Sequence, residues 1–214
     1  MAKRPCFRPL DKFVGYKTVD TEFVWHPGLS RAQKQRNVVA LHEAIQKADP
    51  TAKVLEISSK SLQPLGVSLS AFNLKMNLDG TTCSVESAFQ AGKVFEGGVG
   101  PFPEMRGGDS REVRKSVQEQ SAGRRLVGFE LNGERWGIEP KTAFFCFLYL
   151  KALVDNPELG EALMAYDAFT DIEFNPQRQI NCQAAAAAFY VSLRRQDKLA
   201  WAMASKENFL RACR

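Results

Sequence analysis

The sequence predicts a single compact domain, mainly α-helical with a minor β component. Three observations carry that expectation. The chain has 214 residues, enough for one substantial core and too few for two ordinary domains with a linker. Apolar residues recur at helical spacing through most of the longer segments. The clearest β signals are short and lie beside Asp-Gly and Asn-Gly pairs, which favour two-residue hairpin turns.

Residues 1–29 read as irregular, punctuated by Pro5, Pro9, Gly15, Pro27 and Gly28, with "TEFVWH" as a short strand. Ser30 caps a helix over about 31–48, with Val38, Leu41 and Ile45 on one face. "AKVLEISS" reads as a strand, "SLQPLGVSLSAFNL" as a loop or short extended piece, and "MNLDGTTC" as a hairpin. A helix over about 84–95 follows, with Ser84 at its start and Gly97 and Gly98 at its end. "GGVGPFPEMRGGDS" is a long loop whose backbone N–H groups suit a pyrophosphate. It lacks a P-loop pattern, which argues against an NTPase. Asp109 or Ser110 caps a basic amphipathic helix to about 121, and "RRLVGFELNGERWGI" forms two strands around an Asn-Gly turn. Pro140 opens "KTAFFCFLYLKALV", apolar nearly all round and therefore central to the core. "PELGEALMAYDAF" reads as a second helix, "TDIEFNPQRQI" as a loop, and further helices run from about 182.

The composition, 44% hydrophobic and 25% charged, is that of a soluble globular chain. No apolar run is long enough to span a bilayer, and the basic start lacks an apolar signal core. A cytoplasmic protein without a membrane partner is expected. The five cysteines are scattered, with no CxxC pair, and read as reduced thiols. His26 and His42 have no cysteine or carboxylate cluster around them, so neither a metal site nor a cofactor is expected. The net charge of +5 lies entirely in residues 1–60, which hold 11 Lys/Arg against 6 Asp/Glu. A basic edge suits phosphate-bearing partners, and it also serves plain solubility.

In "SVESAFQAGKVFE", Val85, Ala88, Phe89, Gly92 and Phe95 share one helix side. Glu86, Gln90 and Lys93 fall within about 60° of one another beside that stripe. Glu86 and Lys93 are about 10 Å apart by helical rise, too far for a simple ion pair. An acid in the first turn and a lysine in the last are what the helix dipole favours, so periodicity alone fits a solvated face. It equally fits the lining of a cleft. Lys151, in an apolar helix, is a rival functional amine. Ser58, Ser59, Lys60 and Ser61 end a strand and could hold phosphate or ribose hydroxyls, or form a plain polar turn. Phe72 and Trp136 could stack on a base or fill the core. Arg111, Arg114, Lys115, Arg124 and Arg125 form a basic stripe that could follow nucleic-acid phosphates; interleaved with acids, it equally suits a solvated face.

"LSAFNLKMNLDGTTCSVESAFQAGK" resembles the signature of the NADAR family, the YbiA-like N-glycosidases. Leu69, Ser70 and Phe72 match its first part, Asp79-Gly80 its turn, and Glu86, Phe89, Gln90 and Lys93 its last part in identity and spacing. Ala71 stands where the family has Asn, and Asn73 would take over its polar role. No Trp precedes the helix. "ERWGIEPKTAFFCFLYLKALVDNPELGEALMAYD" looks like the family's second half. Asp171 and Asn181 in "TDIEFNPQRQINCQ" stand as counterparts of the family's acid and Asn, without its Trp- and Gly-rich pattern. The resemblance is nearest to the NADAR-type antitoxins of DarT/DarG toxin–antitoxin pairs.

That resemblance implies a YbiA-like domain over 56–214, with 1–55 as a basic extension packed on it. It implies a DNA ADP-ribosyl glycohydrolase that cleaves the N-glycosidic bond between ADP-ribose and guanine and releases ADP-ribose. The DarT-type toxin is then the genetic partner. Cleavage of such a bond develops positive charge at the anomeric carbon, which a carboxylate can stabilise or an amine can capture as a Schiff base. The expected catalytic residues are Glu86, Lys93 and Asp171. The expected ligand-binding residues are Ser59, Lys60, Phe72, Asn73, Phe89, Gln90, Trp136 and Asn181. The alternatives are a metabolic N-glycosidase on a small ribosylamine phosphate and a non-catalytic ADP-ribose or nucleic-acid reader.

Overall fold

In a computed structural model, which describes residues 1–214, the chain is 43% helix and 20% strand with three small sheets. It is mixed α/β, not mainly α as the sequence led us to expect. The elements run β1 (Ala2–Pro9), β2 (Tyr16–Phe23), α1 (Arg31–Ala48), β3 (Val54–Glu56), α2 (Pro64–Ser68), β4 (Lys75–Leu78), β5 (Thr81–Ser84), α3 (Val85–Ala91) and β6 (Lys93–Phe95). Then follow α4 (Ser110–Gln120), β7 (Leu126–Leu131), β8 (Glu134–Trp136), α5 (Ala143–Asp155), α6 (Pro157–Leu163), β9 (Ala168–Thr170), α7 (Gln183–Arg195), α8 (Leu199–Met203) and α9 (Lys206–Ala212). No helix is long and apolar enough to cross a membrane.

The excess of strand comes from three places. Residues 2–23 form the β1–β2 hairpin despite Pro5 and Pro9. Strand β9 reaches only Cys6 and Phe7 of β1, so the two prolines lie where β1 has a single strand neighbour and no second ladder to break. "AFT" is β9, not the end of a helix. It is fully buried, and a short apolar run buried on all sides has no period to distinguish helix from strand. The helix expected to reach residue 95 ends at Ala91, and Lys93 begins β6. Conversely, "PLGVS" is the short helix α2.

The chain divides into two compact units, residues 1–70 with 157–214, and residues 71–156. In the first, the sheet order is β2-β1-β9-β3, with β3 and β9 parallel. Helix α1, capped by Ser30, buries Val38, Leu41 and Ile45 against Cys6, Phe23, Val54 and Ala168. Helix α7 buries the run Ala184–Ala188. Parallel pairing brings the C-terminal ends of β3 and β9 to the same edge, where Ser58–Lys60 and Asp171 follow.

In the second unit both hairpins form at their Xaa-Gly pairs. Asp79 and Gly80, and Asn132 and Gly133, all take positive φ, as a two-residue turn with the right twist requires. Helix α5 is the unit's centre. Its Phe144 stacks on Phe129 at 4.7 Å between ring centroids, with Phe89, Phe145 and Trp136 around them.

Candidate active site

Glu86, Gln90 and Lys93 are brought together in the second unit. Ser84 caps α3, its Oγ accepting from Ser87 N at 3.0 Å, so Glu86 stands in the first turn. One turn later Gln90, 6% exposed, donates from Nε2 to Glu86 Oε1 at 2.8 Å. The helix then stops, and Lys93 leaves it on β6 with its Nζ donating to Gln90 Oε1 at 2.6 Å. The carboxylate and the amine are thus joined through one amide, each end of which can pair in only one sense.

Gly92 makes this turn possible. A Cβ there would stand 2.7 Å from Phe144 Cζ and 3.1 Å from the Glu130 carbonyl, so only glycine lets the chain pass so close to α5 and β7. The glycine-rich loop also serves this corner. Phe102 N donates to Ala91 O at 2.7 Å, and a Cβ on Gly100 would run into the Lys93 carbonyl oxygen. The loop buttresses the backbone that carries the amine.

Lys93 is half-buried, and its Nζ lies 5.2 Å from the centre of the Phe89 ring. Burial lowers its pKa; the charge of Glu86 pulls it back up, and that of Arg114 adds to the lowering. A lysine with less proton affinity than usual has more free amine at neutral pH, which is what a nucleophilic role requires. Lys151, by contrast, is paired with Asp155 one turn on, at 3.3 Å.

The other expected residues divide between the units. Phe72 and Asn73 are exposed in the second, just ahead of β4. The Glu86 N–H donates to Ala71 O at 2.9 Å, which fixes that loop to the start of α3. Trp136, 3% exposed, packs on Phe144 and Phe147, and Phe89 lies in the same ring cluster. Ser59, Lys60, Asp171 and Asn181 lie in the first unit. Lys60 Nζ donates to Ser59 Oγ at 3.0 Å. The Asn181 Oδ1 is buried with no hydrogen-bond partner.

The first unit also holds an acid that sequence reasoning did not single out. Glu56 is fully buried, accepting from Ser58 Oγ at 2.6 Å, Thr170 Oγ1 at 2.6 Å and Ile172 N at 2.8 Å. Thr170 Oγ1, having donated its proton, can accept from His42 Nε2 at 2.9 Å, which sets a neutral tautomer on that ring. Burial lowers the His42 pKa to about 4. Asp171 accepts from Glu173 N at 3.0 Å and Phe174 N at 3.2 Å. Burial pushes both carboxyls up, Asp171 well up because the Glu56 charge adds to it. The signal in the sequence was a lone acid inside the apolar run Val54, Leu55, Ile57.

No curated protein sequence matches the chain at a significant level. A family profile described as the DarT1-associated NADAR antitoxin matches residues 2–214. By that match, over nearly its whole length, the chain belongs to the family of DarT1-associated NADAR antitoxins.

Proposed function

We propose that this antitoxin is a DNA ADP-ribosyl glycohydrolase that removes ADP-ribose from guanine. The observation that carries the reading is the hydrogen-bonded chain Glu86–Gln90–Lys93, in a member of an antitoxin family paired with DarT1. The neutral Lys93 amine attacks the anomeric carbon as its bond to the guanine nitrogen breaks. Glu86 accepts the proton that the attacking nitrogen sheds and returns it to the leaving guanine nitrogen. The adduct opens to an imine, and water, deprotonated by Glu86, hydrolyses it to ADP-ribose and free lysine. Gln90 holds the two groups in register throughout. Exposed Phe72 offers a face for a base.

For Ser59, Lys60, Asp171 and Asn181 the reading is confined to their own unit. There the unsatisfied Asn181 Oδ1 suits a ligand hydroxyl or amine, and the Asp171 carboxyl, its pKa pushed well up by burial and by the Glu56 charge, suits the role of a proton donor.

The test is incubation with an oligonucleotide ADP-ribosylated on guanine, alongside a ribosylamine phosphate. Free ADP-ribose and an unmodified oligonucleotide are the expected products, lost in Glu86→Ala and Lys93→Ala. Turnover of the ribosylamine phosphate alone would instead favour the metabolic N-glycosidase. Binding of the modified oligonucleotide without turnover would make the chain a reader.

A further inference from the structure

Helices α3 and α4 start side by side. Ser110 Oγ lies 2.7 Å from Ser84 Oγ and 2.9 Å from Ser87 Oγ. Further along, Val113 and Val117 pack with Ala91 in one buried cluster. The two helices therefore stay in contact over at least their first two turns. Arg114 sits one turn after Ser110, about 40° round from it, at the border of the face that meets α3. Its root is level with the middle of α3, which carries the half-buried Glu86 and the buried Gln90.

Arg114 is exposed and makes no ion pair, whereas Lys115 leans on Glu119 and Arg125 on Glu96. Two cations, Arg114 and Lys93, thus lie near one margin of the unit, and Glu86 is the acid close to Lys93. Arg114 is near enough for its charge to work against protonation of Lys93. An arginine left without a carboxylate offers a planar pair of donors that matches a phosphate. The phosphate of a ribose 5-phosphoryl group is only a few bonds from the anomeric carbon that Lys93 would meet.

We infer that Arg114 is an anion subsite beside Lys93, taking a phosphate of the ligand while the amine meets its sugar. The inference rests on the function proposed above. Two sources supply the same chemistry: the pyrophosphate of ADP-ribose and the backbone of the DNA strand.

The experiment has two arms. In the first, lysines are reductively methylated with a 13C label, Lys93 is assigned with Lys93→Arg, and its resonance is titrated in wild type and Arg114→Gln. Loss of the neighbouring cation moves the Lys93 titration to higher pH; an unmoved titration overturns the inference without any ligand. In the second, ADP-ribose and an unmodified oligonucleotide are each titrated into wild type, Arg114→Gln and Arg114→Lys. A tenfold or greater loss of ADP-ribose binding in Arg114→Gln, partly restored by lysine, assigns the subsite to the pyrophosphate. The same loss confined to the oligonucleotide assigns it to the backbone. Wild-type binding that Arg114→Gln leaves intact refutes the subsite alone. A wild type that binds neither ligand refutes the functional reading, and the subsite with it.

Discussion

Gly92→Ala pits two opposite effects against each other. Gly92 has φ −78 and ψ −6, a conformation alanine adopts freely. On backbone grounds the substitution therefore stabilises by about 0.4–1 kcal/mol, through a less disordered unfolded chain. Against this, the new methyl would lie 2.7 Å from Phe144 Cζ, 2.9 Å from Cε1 and 3.1 Å from the Glu130 carbonyl. Phe144 is 2% exposed and stacked on Phe129, and the carbonyl belongs to a strand, so neither neighbour can yield cheaply. Overpacking of this kind costs about 1–3 kcal/mol. The steric effect wins, with a net loss of about 1–2 kcal/mol, which for a chain of this size lowers Tm by roughly 2–8 °C. Thermal unfolding followed by circular dichroism measures it. Phe144→Leu in the same background makes room, and the pair couples favourably by about 1 kcal/mol or more. A Tm for Gly92→Ala at or above wild type would refute the packing argument. Turnover falls with the same change, because Gln90 and Lys93 flank the displaced backbone.

Two further outcomes follow from the polar networks. Gln90→Leu removes both bonds that join Glu86 to Lys93, each worth about 1.5–3 kcal/mol before water replaces it at the half-exposed ends. Single-turnover cleavage of the modified oligonucleotide slows at least tenfold while its binding changes little; equal losses in both would deny Gln90 a positioning role. His42→Gln tests the acid limb of stability. With its pKa lowered to about 4 in the fold and near 6.5 unfolded, His42 binds its proton only on unfolding between those values. Its contribution is whole above pH 6.5 and falls away toward pH 4, by at most about 3 kcal/mol. The raised carboxyls of Glu56 and Asp171 act in the opposite sense, so the comparison is variant against wild type at each pH. The gap in urea midpoints between the two narrows or reverses as pH falls from 7 to 4.5; a pH-independent gap would show that His42 is not held neutral.

What could be read in the sequence was what is encoded locally. Ser30, Ser84 and Asp109 cap helices because a short polar side chain reaches the backbone two or three residues on. The two hairpins formed at Asp79-Gly80 and Asn132-Gly133 because only such pairs take positive φ in succession without strain. Strands β1 and β9 escaped because a strand's identity lies in its partner, far away in sequence. The site was legible as a spacing but not as a shape. Periodicity placed Gly92 on the apolar stripe of a longer helix, whereas its use is steric: it ends α3 and turns Lys93 onto a strand. Glu86 and Lys93 form no direct ion pair; Gln90 bridges them, donating to one and accepting from the other.

The central claim is that Lys93 bonds to the sugar. Its most direct test is borohydride reduction of the protein during reaction with the ADP-ribosylated oligonucleotide, followed by peptide mass spectrometry. The account predicts a reduced ADP-ribose adduct on the peptide carrying Lys93, absent in Lys93→Ala. No adduct during active turnover, or an adduct that persists in Lys93→Ala on Lys151 or elsewhere, would contradict it.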